Sequence, residues 1–279
     1  MQMLRPGTVE EAVAALAGGG LRALAGGTDL YPALGDRPAP ALLDLTAIGA
    51  LRGIAQGPGG WRIGATTTWS DVAEADLPPA FAGLKAAARE VGGVQIQNAG
   101  TVAGNLCNAS PAADGVPPLL TLEASVEIAG PAGRRVLPLA AFVTGPRQTA
   151  LAPGELVSAV LLPEPEAGSA GAFLKLGARR YLVISIAMVA GVLRLGADGR
   201  IAAARLAVGA CAPVAQRLPA LEAALAGCRP GAEAEAAIAA APLDPLAPID
   251  DVRAPAAYRL EAARRLIART VAAAAEGCS

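Results

Sequence analysis

The chain of 279 residues contains no histidine. Histidine is the usual general base near neutral pH and a common ligand of zinc. Its absence excludes a Ser-His-Asp triad, the H-E-x-x-H zinc motif and any cofactor held by a histidine side chain. If the chain takes part in catalysis, we expect a bound cofactor to supply the chemistry.

Cysteines are few, and their spacing is not that of a metal site. The four cysteines, at positions 107, 211, 228 and 278, form neither a C-x-x-C pair nor an iron–sulfur run. We therefore expect reduced, partly buried thiols, with Cys107 as a small buried residue, as in a cytoplasmic protein.

Aromatic residues and an excess of basic charge are also lacking. Aromatic residues make up 3% of the chain, and its 23 basic and 24 acidic residues give a formal net charge of −1. Nucleic-acid binding needs positive charge for the phosphates and often aromatic platforms for the bases. We therefore expect no nucleic-acid partner.

The sequence has no apolar run of membrane-spanning length. The longest charge-free apolar stretch of note, residues 181–193, is shorter than the roughly 18 residues that a span requires. The N-terminal residues M-Q-M-L-R-P-G-T lack the apolar core of a signal peptide. These features predict a cytoplasmic protein without a membrane span.

Glycine-rich stretches with hydroxyl side chains occur twice. Residues 100–120 combine small residues with Thr101, Asn105 and one carboxylate, Asp114, and residues 25–30 have the same character. A backbone with so little side chain can approach a ligand closely, and successive N–H groups form a concavity suited to phosphate. The two stretches predict one elongated phosphorylated ligand held at two points.

Strand and helix signals alternate irregularly along the chain. Thr8 and Glu11 are the expected capping box of the first helix, and Ser70 is the expected N-cap of a later one. β-Branched residues predict strands over residues 61–68 and 183–195.

Hairpins and the absence of nucleotide-binding motifs decide the fold class. The sequence contains neither G-x-G-x-x-G nor G-x-x-x-x-G-K-[ST], and turn residues predict hairpins around 130–133 and 197–200. An α+β fold is therefore favoured over a doubly wound sheet. Residues 163–171 are the expected linker, and the last helix, over 255–275, is expected to carry Arg259 on its polar face.

Five stretches, in order along nearly the whole chain, resemble one family. They are A-G-G-T-D-L at 25–30, W-R-I-G-A-T-T-T at 61–68, T-V-A-G-N-L-C-N-A-S-P-A-A-D at 101–114, G-P-R-Q-T-A-L-A-P-G-E-L at 145–156 and L-K-L-G-A-R-R at 174–180. Together they resemble the FAD-binding (medium) subunit of the molybdenum hydroxylases, which include enzymes of the xanthine dehydrogenase, carbon monoxide dehydrogenase and aromatic-hydroxylating types.

The resemblance implies a particular domain organisation. A two-lobed FAD-binding domain of the vanillyl-alcohol-oxidase (PCMH) type is expected over residues 1–165, with lobes of about 1–55 and 56–165. A C-terminal domain of a small antiparallel sheet plus helices is expected over residues 172–279.

The resemblance also implies where FAD binds. Both glycine-rich loops are expected to contact its pyrophosphate, Asp114 to hydrogen-bond its sugar hydroxyls, and Lys175 to lie near the flavin ring. A positive charge there would favour the anionic reduced flavin. No catalytic residue and no metal ligand is implied. The implied cofactor-binding residues are Ala25, Gly26, Gly27, Thr28, Asp29, Leu30, Thr101, Gly104, Asn105, Asp114 and Lys175.

Ala103 departs from the family pattern, which usually has two glycines before the asparagine. Alanine is unfavourable where φ is positive or where the backbone approaches a ligand very closely. We expect a small adjustment of the loop and retention of binding.

Relatives of this kind work as complexes. A large subunit holds the molybdenum cofactor and the substrate, a small subunit holds two [2Fe–2S] clusters, and the FAD subunit passes electrons to NAD, a quinone or another acceptor. The resemblance therefore implies an oxidoreductase subunit with these two partner subunits, in a dimer of heterotrimers.

Two other functions stay open at this point. A stand-alone FAD oxidoreductase of the same fold would turn over a substrate as an isolated chain. A non-enzymatic scaffold would keep full stability and partner binding without flavin.

Overall fold

Short strands between glycine-rich turns build separate sheets in the computed structural model, which describes residues 2–35, 37–38 and 40–278. The first sheet is parallel, and its three strands lie in the order β1-β3-β2. Its strands and helices are β1 (Met3–Leu4), α1 (Val9–Ala17), β2 (Leu21–Leu24), α2 (Leu30–Leu34) and β3 (Ala41–Asp44).

Helix α1 begins at Thr8, as predicted. The Thr8 hydroxyl accepts a hydrogen bond from the Glu11 N–H at 3.2 Å. The Glu11 carboxylate, however, accepts from the Gly7 N–H at 2.7 Å. The reciprocal bond of the expected capping box therefore lies one residue further upstream.

A second, antiparallel sheet follows, with its strands in the order β4-β5-β10-β6-β7. The helices between β5 and β6 pack against it and supply much of the core. These elements are β4 (Ile54–Gly57), β5 (Gly60–Gly64), α3 (Trp69–Glu74), α4 (Ala82–Glu90), α5 (Val94–Ala99), α6 (Val102–Asn108), α7 (Val116–Thr121), β6 (Ser125–Gly130), β7 (Gly133–Pro138), α8 (Leu139–Phe142), β8 (Val143–Gly145), β9 (Gln148–Thr149) and β10 (Leu156–Leu162).

The strand expected over residues 61–68 ends early, at Gly64. The backbone turns at Ala65 and Thr66, and Thr68 then pairs with Thr101 in an isolated antiparallel β-bridge. Thr68, not the predicted Ser70, is the N-cap of α3, because its hydroxyl accepts from the Asp71 N–H while Asp71 accepts from the Thr68 N–H.

A third sheet, antiparallel and in the order β11-β12-β13-β14, is covered by the last helix. Its elements are β11 (Ser169–Leu176), β12 (Ala187–Leu195), β13 (Ile201–Gly209), β14 (Gln216–Arg217), α9 (Pro219–Leu225), α10 (Ala232–Ala240) and α11 (Ala256–Glu276). Strand β11 therefore begins inside the expected linker. The expected start of β12 at Val183 is wrong, because residues 177–186 form an irregular loop.

Two large apolar clusters form the core. One joins the first two sheets with α3, α4, α6 and α7 and contains Trp69, Phe81 and Phe142, each almost fully buried. The other lies between the third sheet and α9, α10 and α11. The α+β fold class is confirmed.

The prediction that Arg259 lies on the polar face of α11 is wrong, because this residue is buried and only 3% exposed. Its guanidinium donates to the Ile186 carbonyl at 2.6 Å, the Ala210 carbonyl at 3.1 Å and the Asp251 carboxylate at 2.7 Å. The arginine therefore ties the loop before β12 to the last helix. None of the helices in the described part of the chain is long and apolar enough to span a membrane.

Candidate functional site

A cavity of about 770 Å³ lies where the two glycine-rich stretches meet. This volume is in the range of small-molecule and cofactor sites. The predicted residues 25–30, Thr101, Gly104, Asn105 and Asp114 all line it. Lys175 does not line it and contacts the cavity only through Asp114.

Close backbone contact brings the two stretches together. A Cβ atom on Gly26 would lie 1.8 Å from the Ala99 carbonyl oxygen. A Cβ atom on Gly100, in the second stretch, would lie 3.3 Å from the hydroxyl oxygen of Thr28 in the first. Gly27 has a φ of +70°, which glycine adopts without strain. Glycine in the first loop is therefore required by the approach of the second.

The second glycine-rich stretch begins a short helix. Thr101 is the N-cap of α6, and its hydroxyl accepts from the Gly104 N–H at 3.0 Å. Ala103 is 4% exposed, has no positive φ and packs into the core, so alanine is accommodated in an ordinary helical position. As expected from its breakers, the stretch is not one continuous helix, since residues 109–115 separate α6 from α7.

Asn105 carries a buried polar atom without a partner. Its side-chain Oδ1 is inaccessible and makes no hydrogen bond within the described residues, although Asn105 lines the cavity. Buried polar groups are nearly always hydrogen-bonded. The amide N–H₂ of the same side chain is available to donate to phosphate or hydroxyl oxygens of a ligand, so the site fits a dinucleotide cofactor.

Asp114 is the centre of a buried polar cluster. Its Oδ2 accepts from the Lys175 ammonium at 2.6 Å, and its Oδ1 accepts from the Ser185 hydroxyl at 2.6 Å. Burial raises the pKa of the Asp114 carboxyl, and both partners oppose that rise. Strand β11 and the loop before β12 are thereby fixed to the wall of the cavity.

Two further residues join the loops and were missed in the sequence. The Asn108 side-chain amide donates to the Asp29 carboxylate at 2.7 Å. The Arg147 guanidinium in turn donates to the Asn108 carbonyl at 3.1 Å and also to its side-chain oxygen. Arg147 lies within the quoted motif G-P-R-Q-T, but nothing in the motif shows that it reaches a helix end 39 positions away.

Cys107 and the loop before β12 also differ from expectation. The Cys107 side chain is exposed on the cavity wall instead of buried. Ile184, expected in the strand over residues 183–195, and its neighbour Leu182 are more than half exposed at the cavity, and Leu182 has a φ of +53°.

Comparison with known proteins identifies the family. Residues 1–165 match the family described as the FAD-binding domain in molybdopterin dehydrogenase, and residues 172–274 match the carbon monoxide dehydrogenase flavoprotein C-terminal domain. The xanthine dehydrogenase FAD-binding subunit of Escherichia coli O157:H7 is 33% identical over 261 residues, which cover 90% of this chain and 89% of that protein. The carbon monoxide dehydrogenase medium chain of Hydrogenophaga pseudoflava is 31% identical and covers 98% of this chain and 96% of its own length.

Solved structures agree with these sequence relatives. A chain of reconstituted CO dehydrogenase from Oligotropha carboxidovorans superposes with a TM-score of 0.92 at 30% identity, covering 100% of this chain and 98% of that one. A chain of the Hydrogenophaga pseudoflava enzyme lacking the Mo-pyranopterin moiety has a TM-score of 0.90 at 32% identity, with the same coverage. The chain therefore belongs to the FAD-binding subunits of the molybdenum hydroxylases, and it is a subunit of an oxidoreductase.

Proposed function

We propose that FAD binds in the cavity between the two glycine-rich loops and that the chain transfers electrons through it. The observation that carries this proposal is the meeting of residues 25–30 with Thr101, Gly104 and Asn105 at one cavity. Gly26 and Gly27 let the first loop approach the second, and Asn105, whose buried Oδ1 has no partner within the described residues, lines the cavity.

Each lining residue has a role in this proposal. Exposed N–H groups of the first loop would face the diphosphate, as in other concave anion sites. Asn105 would satisfy its amide on the cofactor, and Asp114 would exchange one of its present bonds for a sugar hydroxyl. Lys175 would act through Asp114, because its ammonium lies 2.6 Å from that carboxylate and does not line the cavity.

When bound, the flavin supplies one-electron and two-electron redox chemistry. The chain's own contribution is to position the ring and control its surroundings. Leu182 and Ile184 would exclude water from one side of the ring, since both line the cavity with apolar side chains. Lys175 neutralises the buried Asp114 carboxylate at the cavity wall, so this carboxylate would add little negative charge beside a bound ring.

We further propose that the chain works in a complex. Relatives are named as FAD-binding subunits or medium chains of dehydrogenases, and one structural neighbour is a chain of a Cu,Mo-CO dehydrogenase. On this basis a large subunit holds the molybdenum cofactor and a small subunit supplies electrons from [2Fe–2S] clusters. The FAD subunit passes them to NAD, a quinone or another acceptor, in a dimer of heterotrimers.

The domain organisation is proposed on the same grounds. One core cluster holds most buried residues of the first two sheets together with Val192 and Ala207 of the third, and a second cluster joins the third sheet to α9, α10 and α11. The separate family matches of residues 1–165 and 172–274 support a two-lobed FAD-binding domain over residues 1–165, followed by a C-terminal domain over 172–279.

Reconstitution tests the electron-transfer proposal. The partner subunits are purified without this chain and reduced with their substrate, and acceptor reduction is followed before and after the FAD-loaded chain is added. We expect the iron–sulfur signals to bleach in both cases but the acceptor to be reduced only with the chain present. Equal acceptor reduction without the chain would contradict the proposed function.

A further inference from the structure

We propose that Arg147 is a further binding residue for the diphosphate of the cofactor, an inference that rests on the function proposed above. Arg147 lies in the short turn between β8 and β9 and lines the cavity. Sequence reasoning assigned it no role.

The backbone at Arg147 is held in an unfavourable conformation. Its φ is +60°, and that of Ala109, at the end of α6, is +46°. The two residues are joined, because the Arg147 N–H donates to the Ala109 carbonyl at 2.8 Å. A residue with a Cβ is disfavoured in this region, and such residues cluster at ligand sites. Glycine would fit this turn without strain, so the turn accommodates an arginine side chain at a conformational disadvantage.

The guanidinium is fixed where the two glycine-rich loops meet. Its Nη1 donates to the carbonyl and the side-chain oxygen of Asn108, and Asn108 donates to Asp29 of the first loop. Nε and Nη2 of Arg147 make no hydrogen bond within the described part of the chain. These N–H groups remain for a ligand.

The charges around the cavity favour an anion at this point. Its charged lining residues are Arg22, Asp29, Asp114 and Arg147. Both carboxylates already accept hydrogen bonds, Asp29 from Asn108 and Asp114 from Lys175 and Ser185. Across residues 2–35, 37–38 and 40–278, no carboxylate pairs with the Arg147 guanidinium. A planar guanidinium with free N–H groups matches phosphate oxygens.

Binding of FAD and of riboflavin to the apo chain separates this role from a structural one, since riboflavin lacks both phosphates. Dissociation constants are measured by flavin fluorescence for the wild type, Arg147→Gln, Arg147→Lys and, as a matched control, the exposed Arg265→Gln. We expect Arg147→Gln to raise the dissociation constant of FAD about tenfold or more and to leave the dissociation constant of riboflavin unchanged. Arg147→Lys should restore part of the loss, and Arg265→Gln should bind as the wild type.

A glycine variant tests the meaning of the strained turn. In Arg147→Gly the φ becomes favourable, so the melting temperature of the apo chain should not fall, while FAD should weaken as in Arg147→Gln. Unchanged FAD affinity in Arg147→Gln, or equal weakening of FAD and riboflavin, would overturn the inference. Failure of the wild type to bind any FAD would instead overturn the proposed function itself.

Discussion

At the residue scale, the side chain of Asn105 is one reason to expect a ligand. Its Oδ1 is buried without a hydrogen-bond partner in the described residues, and leaving such a group unpaired costs about 1–3 kcal/mol. Arg147 adds the second residue-scale signal, because its strained backbone places at the same cavity a guanidinium whose Nε and Nη2 are unpaired within the described residues. Under the proposed function, both residues keep polar groups unpaired in the unliganded chain that bound FAD would pair.

Asn105→Ala should therefore separate stability from binding. We expect the free energy of unfolding of the apo chain to stay the same or rise, since an unpaired buried atom is removed. FAD affinity should fall about tenfold or more, because the cofactor loses its partner. Chemical denaturation and FAD titration measure the two effects, with the exposed Asn98→Ala as control. A less stable apo chain with unchanged FAD affinity would show that Asn105 is purely structural.

Gly26 carries a prediction about close packing. A Cβ at this position would lie 1.8 Å from the Ala99 carbonyl oxygen, whereas a Cβ on Gly49 would meet nothing within 4 Å. Gly26→Ala should force the loops apart and lower the free energy of unfolding by about 1–3 kcal/mol or more, with loss of FAD. Gly49→Ala is the control. Equal melting temperatures and flavin contents for the two variants would contradict the described loop contact.

At the scale of elements, the Lys175–Asp114 pair joins β11 to the region before α7. The two side chains are 6% and 10% exposed, and their charged atoms are 2.6 Å apart. Removing one partner of a buried pair leaves the other charge uncompensated and costs about 3–5 kcal/mol. The exposed Arg265–Glu261 pair, in contrast, should contribute under about 1 kcal/mol.

A double-mutant cycle measures this coupling. Lys175→Met and Asp114→Asn should each lower the free energy of unfolding, and the double variant should lose clearly less than the sum of the two. Urea denaturation of the four proteins gives the values, and Arg265→Gln serves as the exposed control. Strict additivity would mean that the two groups do not interact in the folded chain.

Asp251 anchors the start of α11 and predicts a pH dependence. Its carboxylate accepts from the Arg253 N–H at 2.8 Å and from Arg259 at 2.7 Å. The Arg253 backbone N–H, together with Arg259, holds the pKa of this carboxyl well below its usual 3.8. A carboxyl whose pKa is lower in the folded than in the unfolded chain stabilises the fold fully at a pH above its unfolded-state pKa. This stability is lost as the pH falls toward the lower, folded-state pKa.

We therefore expect Asp251→Asn to lower the melting temperature at pH 7. The difference in melting temperature between the variant and the wild type should become smaller as the pH is lowered below about 4. Differential scanning calorimetry from neutral to acidic pH follows the gap, with the exposed Asp76→Asn as control. A gap that is constant with pH would show that charge at Asp251 does not contribute.

Elements whose signals are local could be predicted from the sequence. The hairpin turns predicted around 130–133 and 197–200 lie between β6 and β7 and between β12 and β13, because turn residues between neighbouring strands need no distant information. Residues 183–186 of the loop before β12 were predicted as the start of a strand, since apolar residues such as Val183 and Ile184 suggest a core. In the fold these side chains line a cavity instead.

Only the part of the site that lies in the glycine-rich motifs could be predicted from the sequence. Both glycine-rich loops were found from residue type and order. Arg147 and Asn108 were missed because their contact depends on how β8 and β9 pack against the end of α6. The buried position of Arg259 was missed for the same reason, since the carbonyls it binds come from distant loops.

At the scale of the whole molecule, the cavity joins all three sheets. The first sheet delivers residues 25–30 to it, the helices after β5 contribute Thr101 and Asn105, and the loop before β12 contributes Leu182 and Ile184. Ser185 and Lys175 attach the third sheet to Asp114. A ligand in this cavity would contact the first sheet, the helices after β5 and the loop before β12 at once, so cofactor binding is expected to stabilise the fold.

The cofactor content of the purified protein tests the central claim most directly. The chain is incubated with FAD, alone and together with its partner subunits, and freed from unbound cofactor by gel filtration. Its visible spectrum is recorded, and the cofactor released by acid is identified by chromatography. We expect a flavin spectrum, stoichiometric FAD, and much less FAD in Asn105→Ala. A colourless protein that retains no FAD even in the assembled complex would contradict the account.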